Sequence, residues 1–534
     1  MAALQTTIDK KQLTIDQNEV EVFRSDNPEH GDYSTNVALK ISREVKQSPV
    51  EFAGKLADSL KNQPYIEKVE VKEPGFLNLF IKDEIWQEQV SDVLKQKDKF
   101  GSNDAGCGKK ARVEFVSANP TGPLHFGNAR GGPIGDALAS VLEFCGYAVL
   151  REYYHNDLGV QVDKLGQSIV NVEIGKKLED QEYKGEYIKE LAEQVLNTKH
   201  ETRNTKHNAQ KAGEIAVEIL LKDILKDCEG MGIEFDKVQA ESELMSSGKT
   251  KSAIDFLQKK KALRKKDGAI WFAPHDKWLA DRETVVVKSD GDFTYFANDI
   301  AYHKLKFEEK PDLVVDILGA NHHGHVPRLK AVIQSLGYDT DKLRIILYQW
   351  VRFKRGNEIV KMSKRSGTFV TCREVLDEVG RDALRFFILM HDANTHIDFD
   401  LDLAREKSTK NPVYYVQYAH ARIASILRKA NWKLETGNWK PSHELLTTNY
   451  ELNLVKQISR LPELVEDISE NFAVNQLTTY ATELADSFHK FYENVQVLTS
   501  DKEKQEARLA LISATQITLA NTLKLLGVST PEKM

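Results

Sequence analysis

The chain has 534 residues, too many for one hydrophobic core, and its length suggests about three or four domains. Hydrophobic residues make up 41% and charged residues 29%, the proportions of a soluble globular protein, and no apolar run is long enough to span a bilayer, so no membrane partner is expected. The net charge of −6 argues against a bulk coat for nucleic acid while leaving room for one basic face. The opening stretch MAALQTTIDKKQLTIDQNEV has no apolar segment and carries Asp9, Asp16 and Glu19, which argues against a secretion signal or a transit peptide. Cys107, Cys145, Cys228 and Cys372 are scattered without paired metal spacing and read as reduced thiols of a cytoplasmic protein.

Residues 1–100 read as a small α+β domain. Val37, Ile41 and Val45 share a helix face, as do Phe52, Leu56 and Leu60. Val69 and Val71, the turn Glu73-Pro74-Gly75, then Leu77, Leu79 and Ile81 predict a hairpin. Residues 95–111 are polar and Gly-rich, as in a linker. From Arg112 the pattern becomes strand, loop, helix: Ile134, Leu138, Val141 and Cys145 fall on one helical face, Gly146 ends the helix, and AVLREYY begins another strand. This is the rhythm of a doubly wound α/β sheet over residues 110–372. Residues of about 170–275, rich in Lys, Glu and Asp, read as a helical insertion between two halves of that sheet. Strands return at TVVVK (284–288), DLVVDIL (312–318) and RIILYQWV (344–351). Residues 373–534 read as an all-α bundle, with Leu454, Ile458, Leu461, Val465 and Ile468, then Leu509, Ile512, Leu519 and Leu523, at helical spacing.

Two segments carry chemistry. ANPTGPLHFGN (118–128) lies between a strand and a helix, where a nucleotide finds backbone N–H donors. Gly122, Gly127, Gly131 and Gly132 supply permissive backbone, and Pro120 and Pro123 stiffen the approach. His125 and Asn128, three apart, point to one side, where an imidazole can stabilise charge developing on an α-phosphate. The second segment, RFKRGNEIVKMSKRSGTFV (352–370), predicts a turn at Arg355-Gly356-Asn357, a short strand and a basic loop. Lys361 and Lys364 on that loop can reach a triphosphate as pyrophosphate leaves.

Carboxylates near strand ends suit a guanidinium. Glu114 lies on a strand expected to be buried, so it needs a cationic partner. Tyr295 and Asp299, four apart in a predicted helix, would place a ring for stacking beside a carboxylate for hydrogen bonding. His322, His323 and His325 in GANHHGH are close enough to suggest a metal, but no Cys lies nearby and a zinc site needs further ligands, so a substrate-facing βα loop is preferred and no metal residues are assigned.

Together VEFVSANPTGP, KMSK, TYFANDIAYH, GANHHGHVPRL and NPVYYVQYAHARI resemble the bacterial-type arginyl-tRNA synthetases, of class I, over nearly the whole chain. The first segment matches the family's HIGH motif, with Asn128 where a second His is usual, and 361–364 matches its KMSKS motif. The resemblance implies a Rossmann-type catalytic domain, an N-terminal tRNA-elbow domain and a helical DALR anticodon-binding domain, DALR standing at 382–385. It implies an arginine–tRNA ligase that uses ATP to join L-arginine to tRNA(Arg) through an arginyl-adenylate, releasing AMP and diphosphate, and that needs tRNA for activation. Glu114, Ser117, Asn119, His125, Tyr295, Asp299 and His323 would surround arginine. Pro123, His125, Gly127, Asn128, His322, Lys361, Met362 and Lys364 would bind ATP, and His125, Asn128, Lys361 and Lys364 would be catalytic. Magnesium is expected with ATP, held by phosphates and water, and no tightly bound cofactor is expected. A monomer is expected from the family. In GDYSTNVAL (31–39), Tyr33 either stacks on a tRNA base or caps the first helix, and Asn36 would read a base edge. Tyr414 and Tyr418, with Tyr415, either offer stacking surfaces or fill a helical core.

Overall fold

The computed structural model describes residues 20–534 apart from 26, 45, 179–180, 199–208, 275–276, 280–281, 357, 360–369 and 433–441. These form two compact units. One comprises residues up to Lys97 with 426–460 and 486–517; the other comprises 98–425, 461–485 and 518–534.

In the first unit, β1 (Phe23–Arg24), β2 (Tyr33–Thr35), β3 (Ile66–Lys72) and β4 (Phe76–Ile81) form an antiparallel sheet in the order β1-β2-β4-β3. The predicted hairpin is the β3–β4 pair, with Val69 opposite Leu79 and Val71 opposite Leu77. The helix Pro49–Leu60 starts where it should: Ser48 accepts a hydrogen bond from the Glu51 N–H at 3.2 Å, with proline at the first helical position. Its face Phe52, Leu56 and Leu60 is buried with Val37, Ile41 and Leu77. The predicted partner of Val37 and Ile41, Val45, lies outside the described residues.

The second unit is built on a parallel sheet of order β12-β11-β5-β6-β7: β5 (Lys110–Glu114), β6 (Ala148–His155), β7 (Lys237–Ala240), β11 (Leu313–Gly319) and β12 (Leu343–Tyr348). The chain fills the sheet outward in both directions from β5, so the topological switch point lies between β5 and β11. Two small three-stranded sheets stand apart from it. β8 (Leu263–Lys266), β9 (Ala269–Phe272) and β10 (Thr284–Val287) form one small sheet; β13 (Val351–Arg355), β14 (Glu358–Ile359) and β15 (Ile397–Asp400) form another.

Three sequence expectations change here. The segment 170–275 is not wholly a helical insertion, because β7 within it is the edge strand of the main sheet. TVVVK belongs to the small β8–β9–β10 sheet rather than the parallel one. RIILYQWV breaks after Tyr348, and its last residue opens β13. Beyond Cys372 helices dominate as predicted, including Arg381–Leu389, Leu461–Asn471 and Lys502–Leu525, but β15 interrupts them, and the expected run from Leu454 to Ile468 is broken between Ile458 and Leu461.

The glycines after the first motif are needed for packing. A Cβ on Gly131 would stand 2.9 Å from the Tyr348 ring, one on Gly132 2.8 Å from Ile233, and one on Gly135 only 2.2 Å from the Phe115 ring. The helix Gly131–Phe144 therefore lies closer to the sheet than any side chain there would allow. Gly135→Ala is expected to lower stability by about 1–3 kcal/mol, the usual cost of overpacking, read as a lowered denaturation midpoint.

Candidate active site

The carboxyl ends of the parallel strands enclose a cavity of about 650 Å3, at the switch point where doubly wound sheets bind ligands. Each strand delivers something to it: Glu114 from the end of β5, Tyr154 and Asn156 from β6 and just beyond, Glu241 directly after β7, Asn321 after β11, and Tyr348 at the end of β12. The helix Tyr295–Glu308 adds Tyr295 and Asp299 on one face, as their spacing predicts.

The loop after β5 is shaped by strain and by side chains that face inward. Val116 and Ser117 both have positive φ, 67° and 40°, which non-glycine residues adopt only where the surroundings hold them. The Ser117 hydroxyl accepts from the Tyr154 N–H at 3.1 Å, the Asn119 side-chain oxygen accepts from the Asn156 N–H at 3.3 Å, and the Tyr153 hydroxyl donates to the Ala118 carbonyl at 2.6 Å. Ser117 and Asn119 thus stitch the loop to β6 while lining the cavity.

Beneath the cavity lies a buried ionic cluster. The Lys306 ammonium, wholly buried, contacts Glu114 and lies 2.6 Å from Asp316, over the Tyr302 ring. His303 donates from Nδ1 to the Asp299 backbone carbonyl at 2.8 Å, and its Nε2 meets Asp316 at 2.9 Å. Both partners are acceptors, so this imidazole is a cation; burial opposes the charge, but Asp316 raises its pKa overall. Burial pushes Glu114 up, whereas Asp316 is held below the usual carboxylate range by Lys306 and His303 despite its burial. Two cations and two carboxylates close this cluster, and the partner Glu114 requires is Lys306.

Two further carboxylates face the cavity outside that balance. Glu241 is buried; it accepts from the Asn298 amide at 2.6 Å and from the Tyr154 hydroxyl at 3.2 Å. Burial, and after it the nearby Asp299 charge, pushes its pKa to about 7. Asp299 lies 3.3 Å from His325. A planar cation with several donors, next to the half-exposed Tyr295 ring, would satisfy this pair.

The first motif forms a turn at the cavity's rim. His125 caps the short helix Phe126–Ala129, its Nδ1 accepting from the Gly127 N–H at 2.8 Å. A ring nitrogen that accepts is unprotonated, so Nε2 carries the proton, and burial lowers the pKa further toward this neutral form. A second hollow of about 220 Å3 runs past Asn119, Thr121, Gly122, Pro123, His125 and Asn128, and Asn128 borders both hollows. Lys361, Met362 and Lys364 lie outside the described residues, which resume at Val370, where the chain pairs with the loop that carries His125. The Phe126 N–H donates to the Val370 carbonyl at 3.0 Å and the Cys372 N–H to the Leu124 carbonyl at 2.8 Å. His125 and Thr371, more than two hundred residues apart, thus face each other across a short antiparallel bridge.

The catalytic domain model for class I tRNA synthetases (R) matches residues 89–397; the arginyl tRNA synthetase N terminal domain matches 2–81 and the DALR anticodon binding domain 416–534. The arginine–tRNA ligases of Citrifermentans bemidjiense and Syntrophotalea carbinolica are 44% and 42% identical, over 98% and 100% of this chain and 96% and 98% of their own lengths. The chain belongs to the arginyl-tRNA synthetases. Its fold agrees: the Thermus thermophilus arginyl-tRNA synthetase structure matches with a TM-score of 0.79 at 22% identity, covering 100% of this chain and 99% of that one.

Of the residues singled out in this arginyl-tRNA synthetase, Glu114, Ser117, Asn119, Asn128, Tyr295, Asp299 and His322 line the larger cavity, and Pro123 and His125 the smaller. His323 is exposed and on neither wall, while His325 takes the place beside Asp299. Among the described residues no three His, Cys, Asp or Glu side chains converge as a metal-binding group. Glu241, Tyr154 and His325 were missed; Glu241 had one usable signal, its place directly after a strand. In the other unit, Tyr33 lies in β2 rather than at a helix cap, stacked on Trp86 at 6.2 Å with Arg24 over its ring. Asn36 heads the helix Val37–Ile41 without a capping hydrogen bond. Tyr414 and Tyr418 stack on each other at 6.4 Å, both partly exposed along the helix Pro412–Lys429.

Proposed function

We propose that this chain ligates L-arginine to tRNA(Arg) in two steps. The arginine carboxylate attacks the α-phosphorus of ATP, the bond to the β-phosphate breaks, and arginyl-adenylate and pyrophosphate form. A terminal ribose hydroxyl of the tRNA then attacks the activated carbonyl, and AMP leaves. The observation that carries this reading is the pair of carboxylates, Glu241 and Asp299, which face the cavity with Tyr295 and stand outside the closed cluster of Glu114, Lys306, Asp316 and His303. Asp299 and Glu241 would take the guanidinium, with Tyr295 stacking on it. Ser117 and Asn119 would border the reacting end, and His125 would donate from Nε2 to the α-phosphate. Asn128 offers a second neutral donor at the rim. Lys361 and Lys364, with the Met362 backbone beside the adenine, would draw charge off the departing pyrophosphate.

Catalysis in this reading is positioning and electrostatic stabilisation. The hollow at His125 is lined without a carboxylate, so it does not fit a dedicated magnesium cage; magnesium would come on the phosphates of ATP. Tyr414 and Tyr418 provide a stacked surface suited to single-stranded bases, and Tyr33 and Asn36 a smaller one. The family supports a cytoplasmic monomer, and no helix among the described residues is long and apolar enough to cross a membrane.

Arginine-dependent ATP–pyrophosphate exchange, with and without tRNA, tests the proposal. Exchange that appears only when tRNA is present is expected, and silence under both conditions would sink it. Arginine affinity should also depend on pH. Below about 7 Glu241 is protonated and the cavity holds one fewer negative charge; an arriving guanidinium favours the ionised form and expels the proton. Affinity is therefore expected to rise as pH increases through about 7 and to flatten above it, with Glu241→Gln abolishing most of the slope.

A further inference from the structure

Glu241 opens the helix Glu241–Ser246, and each of its carboxylate oxygens is held by a different neutral donor. Oε1 accepts from the Asn298 amide at 2.6 Å and Oε2 from the Tyr154 hydroxyl at 3.2 Å. Neutral donors fix a carboxylate without cancelling its charge, so the charge stays available to a cation. The Asn298 amide is held in turn, because the Thr250 hydroxyl donates to its oxygen at 2.8 Å. Thr250, Asn298 and Glu241 are all buried. Thr250 lies in the helix Lys249–Lys259, whose Ala253, Ile254 and Leu257 share one core with Phe296, Ala297 and Ile300 of the helix Tyr295–Glu308. That packing sets the hydroxyl against the amide.

The chain of bonds has a direction. An ionised carboxylate only accepts, so the amide presents its nitrogen to Glu241 and its oxygen to Thr250. An amide turned over would set its oxygen against the carboxylate. Glu241 and Tyr154 line the large cavity, whereas Asn298 and Thr250 are not on its wall. We propose that Thr250 and Asn298 are positioning residues for arginine: Thr250 sets the Asn298 amide, and Asn298 aims Glu241 at the guanidinium. The inference rests on reading Glu241 as a guanidinium acceptor. A forked, charge-assisted pair is directional, so a carboxylate free to turn loses part of its hold on arginine while keeping its charge.

The test is steady-state aminoacylation by the full-length chain, with arginine and ATP varied separately, for wild type, Thr250→Val, Thr250→Ser, Asn298→Ala and the double variant Thr250→Val with Asn298→Ala. Valine keeps the shape of threonine and loses the hydroxyl; serine keeps the hydroxyl. Thr250→Val is expected to raise the KM for arginine about three- to tenfold, the scale of one neutral hydrogen bond, and to leave the KM for ATP within about twofold. Thr250→Ser is expected to stay within about twofold of wild type on both. Asn298→Ala is expected to raise the KM for arginine further, and adding Thr250→Val to it to change nothing more, because Thr250 acts only through Asn298. If Asn298→Ala does not fold, the two Thr250 variants decide. A purely structural hydroxyl would lower the melting temperature and move neither KM. That outcome in an active wild type overturns this proposal alone, as do equal rises in both KM values, a serine variant as impaired as the valine one, or a double variant showing the product of the single effects. A wild type that charges tRNA with no arginine overturns it together with the arginine reading on which it rests.

Discussion

Asp299→Asn is expected to lower kcat/KM for arginine by about 100- to 1,000-fold while leaving the KM for ATP within about twofold, since truncating one side of a desolvated charge pair costs about 2–5 kcal/mol. Asparagine keeps the shape and one acceptor oxygen beside His325. What it loses is the negative charge that stands, with Glu241, outside the closed cluster of Glu114, Asp316, Lys306 and His303. That cluster is why Asp299 and Glu114 should not behave alike. Replacing Glu114 would leave Lys306 buried with one anion fewer, so its damage is expected to fall on stability as well as on arginine. The measurement is steady-state aminoacylation with arginine and ATP varied separately. Equal losses for both substrates would count against a guanidinium-reading role and would fit a distorted active site instead.

The parts of this site that could be read from sequence were those held on continuous elements. Tyr295 and Asp299 sit four apart on one helix, so periodicity alone placed them on one face. ANPTGPLHFGN sits between a strand and a helix, and local pattern sufficed to find it. Glu241 escaped because β7 is a four-residue edge strand, KVQA, with only one strongly apolar residue, embedded in a region of helical, highly charged sequence. An edge strand buries little and so leaves little hydrophobic alternation. Lys306 could not be assigned to Glu114 because the two are 192 residues apart and the pairing exists only once β5 and the helix Tyr295–Glu308 pack together. The packing role of Gly131 and Gly132 was hidden for a related reason: a glycine kept for a crowded helix–sheet contact looks the same in sequence as one kept for a phosphate. β15, Ile-Asp-Phe-Asp, alternates as a strand should, but four residues among helices carry too little signal to outweigh their surroundings.

Arg385→Met is expected to destabilise the second unit by about 3–5 kcal/mol, the range for removing one partner of a buried ion pair. Arg385 belongs to the DALR tetrapeptide, yet its side chain is wholly buried and fully engaged. Nε donates to the Leu526 carbonyl at 2.7 Å, Nη1 to the Met231 carbonyl at 3.0 Å and Nη2 to Asp136 at 2.7 Å. It thus ties the helix Arg381–Leu389 to the helix behind the first motif, to the turn before β7 and to the turn just after the C-terminal helix. Gly527 is shaped around it: its φ is +65°, and a Cβ there would stand 2.3 Å from the guanidinium carbon. Methionine would fill most of the volume but leave two carbonyls without donors and Asp136 with Arg151 alone, at 3.2 Å. Because Asp136 keeps that second partner, Asp136→Asn should cost less than Arg385→Met, and the double variant should cost less than the sum. Chemical denaturation of the four proteins measures this directly. A wild-type midpoint for Arg385→Met would mean that the three hydrogen bonds contribute nothing net to stability.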